Sequence, residues 1–177
     1  MSWTYGLLDA MKDPRLQIHN DYDVVVIKDC YPKAEAHFLV LPWKNIPSIK
    51  DLTGSHLPLV KKMDLKGREI AREKGGGRKF KFGYHAEPSM KRLHMHVISD
   101  DFNSPTLKTK KHWNSYTTGF FIPSEKVIKD LESIGRVNLP STSQSSLYLK
   151  TPLKCHKCPY LPGNMPALKI HLAKHLD

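Results

Sequence analysis

Cysteine is scarce in this sequence, with three in 177 residues, and so few thiols exclude a disulfide framework as the source of its stability. Cys30 is expected as a buried thiol behaving as a small apolar side chain. Long apolar runs are missing too, since none approaches the roughly 18 residues that cross a bilayer. The first residues lack the charged-then-apolar layout of a secretory leader, so the expectation is an intracellular protein. Acidic side chains are in deficit, 17 Asp and Glu against 28 Lys and Arg, which leaves a formal net charge of +11. An excess of that size favours a polyanionic partner, nucleic acid being the commonest, over a basic surface that is merely soluble. The remainder is ordinary: 40% hydrophobic and 25% charged residues exclude wholesale disorder, and the length suits one domain with a small appendage.

Strand-forming stretches come first. "DVVVIKD" (23–29) and "HFLVLP" (37–42) are rich in β-branched and large apolar residues, and the Pro-containing turn between them suits an antiparallel pair. Ser55 is placed to cap a helix reaching about Glu73, in which Val60, Met63, Gly67 and Ile70 recur at helical spacing. "GGG" (75–77) stops it. "RKFKFGYH" (78–85) alternates, with Phe80, Phe82 and Tyr84 on one face and Lys79, Lys81, Gly83 and His85 on the other. "RLHMHVISD" (92–100) reads as the next strand, with Arg92, His94, His96 and Ile98 on one face and Leu93, Met95 and Val97 on an apolar one. A short helix is expected near 123–134. The division that follows is a core over 1–136, a polar, Ser-rich connector over 137–149 and a small unit over 150–177.

That last unit carries metal-ligand spacing. Cys155 and Cys158 are separated by two residues, twelve more follow, and His171 and His175 are then separated by three. Two thiolates from a tight turn and two imidazoles one helical turn apart converge tetrahedrally on zinc, the pattern of a Cys2His2 finger. His156, inside the thiolate turn, is expected to be a bystander. The positions that usually touch bases fall on Asn164, Ala167 and Ile170, which cannot together read base edges. With five Lys and one Asp over residues 150–177, the finger suits phosphate contacts instead. It is expected to act as a separate clamp, so that losing a zinc ligand unfolds it locally and spares the core.

The histidines pose the sharper question. A lone strand histidine is usually structural, but His37, His85, His94 and His96 on neighbouring strands imply a polar pocket inside the fold. A neutral imidazole is a competent nucleophile near pH 7, and a neighbour can donate the proton. Metal is the weaker explanation, since no carboxylate or thiol accompanies these residues at ligand spacing in the sequence.

"KDCYPKAEAHFLVLP" followed by "PSMKRLHMHVIS" resembles the histidine-triad nucleotide hydrolases and transferases, whose signature is His-φ-His-φ-His-φ-φ with φ apolar. "YPKAEAHFLVLPW", "GYHAEPSM", "SPTLKTKKHWNS" and the finger occur in the order found in one branch of that family, the DNA-end deadenylases that join such a core to a zinc finger. Arg92 departs from the signature at its first position. The resemblance implies an α+β fold, an antiparallel sheet with helices, followed by the finger with a structural zinc. It implies His94 as the nucleophile that takes up AMP from a 5′-adenylated DNA end left by abortive ligation. His96 and Ser89 would bind phosphoryl oxygens, and His37 and His85 would assist the leaving group. Leu7, Val26 and Met90 would line the nucleotide pocket, with Asp29 on the ribose hydroxyls. Trp3 would stack on a DNA end, and Lys33, Lys110, Lys111, His112 and Trp113 would contact the polymer. The implied partners are nicked or adenylated DNA, RNA–DNA junctions, AMP as product and repair scaffold proteins, in the nucleus. A general hydrolase of small adenylates or dinucleoside polyphosphates is the alternative, and it leaves the finger, "KTKKHW" and the charge idle.

Overall fold

The computed structural model describes residues 6–176, and Trp3 lies outside the described residues. The strands are β1 (Gln17–Asn20), β2 (Val24–Lys28), β3 (His37–Pro42), β4 (Phe80–His85), β5 (Met95–Ser99) and β6 (Phe121–Pro123). They form one antiparallel sheet in the order β1-β2-β3-β5-β4-β6. The expected pairing of 23–29 with 37–42 is present, with Val26 opposite Val40 and Ile27 opposite Leu39.

Helix α1 (Leu7–Lys12) covers one corner of the sheet, and helix α2 (Leu57–Lys74) lies across β3, β5 and β4 on one face. Val60, Met63, Gly67, Ile70 and Ala71 are its buried side, as the helical period requires. Gly67 permits the close approach, because a Cβ there would stand 2.5 Å from Met95 Cε on β5. A 3-10 turn over Gly54–His56 precedes α2, so the helix starts at Leu57 rather than being capped by Ser55. Val24, Val26, Phe38, Val40, Met95 and Val97 form the main core against α2.

The opposite face holds two apolar clusters. Leu7, Val25, Ile27, Leu39 and Leu41 make the first, under α1. The second joins Ile98, Phe102, Trp113, Tyr116 and Phe121 to Leu153, Cys155, Leu168 and Leu172 of the C-terminal unit. The finger is therefore not a separately packed clamp. It shares a core with the sheet, and helix α3 (Lys110–Thr117) is the element between them.

Two further expectations are corrected. Helix α4 (Ser124–Ile134) matches the sequence reading, but the supposed connector contains helix α5 (Thr142–Lys150), capped by Ser141 accepting from Gln144 N. Asn114 of α3 donates from Nδ2 to Leu149 O at 2.9 Å and to Thr151 O at 2.8 Å, tying the segment down. The strand expected from Arg92 begins only at Met95, since Arg92 has φ 81° and breaks the pleat. Helix α6 (Met165–Leu172) completes the chain, with Asn164 as its N-cap accepting from Ala167 N at 2.8 Å. That cap gives Asn164 a structural role at the helix start. No helix among the described residues is long and apolar enough to cross a membrane.

Candidate active site

His37, His96 and His85 come from β3, β5 and β4, three adjacent strands, and His94 lies one residue before β5. They occupy the seam between the two apolar clusters, where Leu39 pairs with His96 and His37 with Ile98. The sequence reading placed these four together, and the sheet order makes them neighbours.

Hydrogen bonds fix the proton on three of the four rings, those of His37, His96 and His94. His37 Nδ1 accepts from Lys33 N at 3.0 Å, so the His37 proton sits on Nε2. His37 Nε2 then donates to His96 Nδ1 at 2.9 Å, which puts the His96 proton on its own Nε2. That Nε2 is buried without a partner among the described residues, as is His85 Nε2. His96 is thus a donor awaiting an acceptor. His94 is held the other way round: its Nδ1 donates to Arg92 O at 2.9 Å, leaving the Nε2 lone pair exposed for attack. The His94 and His96 ring centroids are 5.1 Å apart, and His85 lies 4.4 Å from His96.

The site favours neutral imidazoles. Burial pushes His94 below its ordinary value, against the Arg92 carbonyl and Asp29. Burial, then the neighbouring imidazoles, hold His96 and His85 well below it. Burial lowers His37 to about 4 in spite of Asp29. Each unfolded imidazole binds its proton near pH 6.5, so acid favours the unfolded chain. Stability should therefore be full above pH about 6.5 and fall as the pH drops toward 4, with His37 alone contributing on the order of 3 kcal/mol. Urea midpoints measured from pH 7.5 to 4.5 check this, and a flat series would contradict the neutral cluster.

Tyr116 of α3 was not foreseen. Its ring meets His37, His96 and His85 edge-on at 5.7, 5.2 and 4.8 Å between centroids. No short-range pattern marks it in the sequence, because the contact depends on how α3 crosses the sheet.

The nucleotide pocket needs one correction. Leu7 is buried with Val25, Ile27 and Leu39, and Met90 packs against them. Val26 faces α2 on the other side of the sheet, because successive strand residues alternate. Asp29 shares its parity with Ile27 and Val25, a signal legible in "VVVIKD". Ser89 is exposed in the turn between β4 and β5. Cys30, expected to be buried, is half-buried beside Asp29.

Lys110 and Lys111 are exposed on the first turn of α3, and Lys33 and His112 are half-buried. Lys33 and Lys108, after burial, hold His112 down to about 4. Trp113 is not a surface contact. It is 1% exposed, and its indole donates to Lys154 O at 3.0 Å. His156 stands outside the metal-ligand set, as expected, but it has a structural role: its Nε2 donates to Asp100 O at 2.6 Å and its ring meets Phe102 and Trp113 edge-on. It docks the thiolate turn onto the core.

Two groups meet metal-ligand distances. Cys155 Sγ lies 3.4 Å from His175 Nε2, Cys158 Sγ 3.1 Å from His171 Nε2, and the two Nε2 atoms 3.2 Å from each other. Bonds of about 2.0–2.3 Å to a tetrahedral ion give edges close to these, and two thiolates with two imidazoles are a closed structural zinc set. Asp29, His37 and His96 form the second group, with Asp29 Oδ2 3.5 Å from His37 Nε2, so a carboxylate does accompany the histidines. Here the tautomers argue against an ion. A ligating His37 Nε2 would need its proton on Nδ1, where it would face the Lys33 N–H.

A family model described as "Scavenger mRNA decapping enzyme C-term binding" matches residues 2–112, and one described as "C2HE / C2H2 / C2HC zinc-binding finger" matches 117–177. Aprataxin of Gallus gallus is 49% identical over 98% of this chain and 55% of its own length. An aprataxin-like protein of Saccharomyces cerevisiae is 32% identical over 100% of this chain and 95% of its own length. The chain spans about half the length of the chicken protein and of the Danio rerio aprataxin it matches. The aprataxin ortholog Hnt3 from Schizosaccharomyces pombe superposes with a TM-score of 0.76 and 26% identity over 98% of this chain and 93% of that one. A structure of the aprataxin ortholog Hnt3 in complex with DNA gives 0.76 and 26% over 95% and 90%.

Proposed function

This chain belongs to the aprataxin family of histidine-triad proteins, and we propose that it removes AMP from 5′-adenylated DNA ends through an adenylyl-histidine intermediate. The observation that carries the reading is the opposed proton placement on two adjacent rings: a bare Nε2 on His94 and an Nε2–H on His96. His94 Nε2 attacks the α-phosphorus, forming the N–P bond and breaking the P–O bond to the bridging oxygen. His96 Nε2–H meets the charge that develops on the departing 5′-phosphate. Water then attacks the same phosphorus, the P–N bond breaks, and AMP leaves with His94 restored.

Chain residues account for the rest of the substrate. Met90, half-buried against the packed cluster of Leu7, Ile27 and Leu39, offers an apolar surface to the base, and Asp29, beside His37, would take the ribose hydroxyls. Lys33, Lys110 and Lys111, with the +11 charge, suit a polymer rather than a free nucleotide. DNA bound to Hnt3 in one relative supports the same assignment. Zinc, when bound by the finger, supplies folding energy and no chemistry. RNA–DNA junctions as further substrates, repair scaffold proteins as partners and a nuclear setting complete the proposal.

The test is AMP release from a nicked duplex carrying a 5′-adenylate, compared with a small adenosine phosphoramidate. The DNA substrate should be favoured in kcat/KM by at least about a hundredfold, since its phosphates add contacts the small substrate lacks. Equal values would instead support a general hydrolase of small adenylates.

A further inference from the structure

Arg92 stands where the triad signature has its first histidine, and it is built into the site in another way. Its φ of 81° is a left-handed conformation that an unbranched L-residue adopts only under constraint. That turn takes the Arg92 carbonyl out of the strand direction and brings it 2.9 Å from His94 Nδ1. The constraint is visible. The guanidinium donates to Trp43 O at 3.0 Å and reaches Asn45 Oδ1 at 3.4 Å, while Leu93 N donates to Ile46 O at 2.7 Å. The receiving segment is itself fixed, because Trp43 N donates to Asp23 O and its indole to Asn20 Oδ1, both at 3.0 Å.

We propose that Arg92 is a positioning residue: its side chain holds the left-handed turn that aims its own carbonyl at His94 Nδ1 and so keeps Nε2 as the attacking nitrogen. A neutral imidazole without that acceptor prefers its proton on Nε2, which would hide the lone pair the reaction needs. The guanidinium fork suits the task, since two donors on one plane grip a carbonyl and an amide oxygen together. The kinetic part of the proposal rests on the deadenylase reading, whereas the tautomer part does not.

The test uses the zinc-loaded full chain labelled with 15N, with the His94 signals identified by their loss in His94→Gln. In the unaltered protein His94 should show the Nδ1–H pattern. In Arg92→Ala it should shift mainly to Nε2–H, and kcat on adenylated DNA should fall about tenfold with KM little changed. Arg92→Met keeps the aliphatic stem and carries the same expectation, so a misfolded alanine variant leaves the test standing. Arg92→Lys, which keeps one donor for Trp43 O, should retain the Nδ1–H pattern and at least half of kcat. An unchanged His94 spectrum in the alanine and methionine variants would overturn the proposal. So would a tenfold rise in KM with kcat preserved, which would make Arg92 a phosphate contact. A shifted tautomer in the variants, with the unaltered protein itself inactive on adenylated DNA, would uphold the positioning role and sink the deadenylase reading.

Discussion

His94→Ala is expected to lower turnover of a 5′-adenylated nick by at least about a thousandfold while leaving affinity for AMP or nicked DNA within about threefold. The asymmetry follows from what the side chain does. In the proposed reaction His94 Nε2 is the lone pair that forms the covalent bond, and the adjacent His96 cannot replace it, since its Nε2 carries a proton. The residues proposed to hold the base, the ribose and the DNA phosphates are others, so binding has no reason to fail. Single-turnover kinetics beside fluorescence anisotropy separate the two effects. Activity above a few per cent of the original would remove His94 from the role.

Cys158→Ser should have the second-largest effect, and it should not stay local. Zinc supplies much of the folding free energy of so small a unit. Leu153, Cys155, Leu168 and Leu172 share one core with Phe102, Trp113 and Tyr116, and Tyr116 touches three of the four active-site imidazoles. The melting temperature of the whole chain should drop by more than about 10 °C, since loss of a structural metal is among the costliest single changes. Hydrolysis of a small adenosine phosphoramidate should fall along with that of adenylated DNA. Zinc content, a thermal melt and both rates on the same preparation check this. Loss of the DNA activity alone, with an unchanged melt, would return the finger to the role of an independent clamp.

Much of this was legible because strand and helix periods are short-range signals. The buried side of α2, the β2–β3 pair and the zinc ligands could each be read from spacings within a short stretch of sequence. The four histidines were grouped correctly because they fall on consecutive hydrophobic runs. Errors arose where a side chain's role is set by distant partners. Trp113 looks like an exposed aromatic in a basic run, yet it is buried against Lys154, 41 positions away. Val26 was misplaced although the two-residue period from Asp29 already pointed to Ile27 and Val25. The Ser-rich stretch before the finger has the composition of a linker, but Asn114 and the apolar positions Tyr148 and Leu149 fold it onto the core. Arg92 stands out in the sequence only as a departure from the signature, whereas its carbonyl is what accepts from His94 Nδ1.

The central claim is the covalent step at His94. The most direct measurement mixes the zinc-loaded chain with 5′-adenylated nicked DNA, quenches within milliseconds into base, where a P–N phosphoramidate survives, and maps the modified peptide by mass spectrometry. The account predicts a transient adenylyl group on His94 that appears before free AMP and is absent in His94→Ala. An adduct on His85 or His96, or AMP released at full rate with no adduct on any residue, would contradict it.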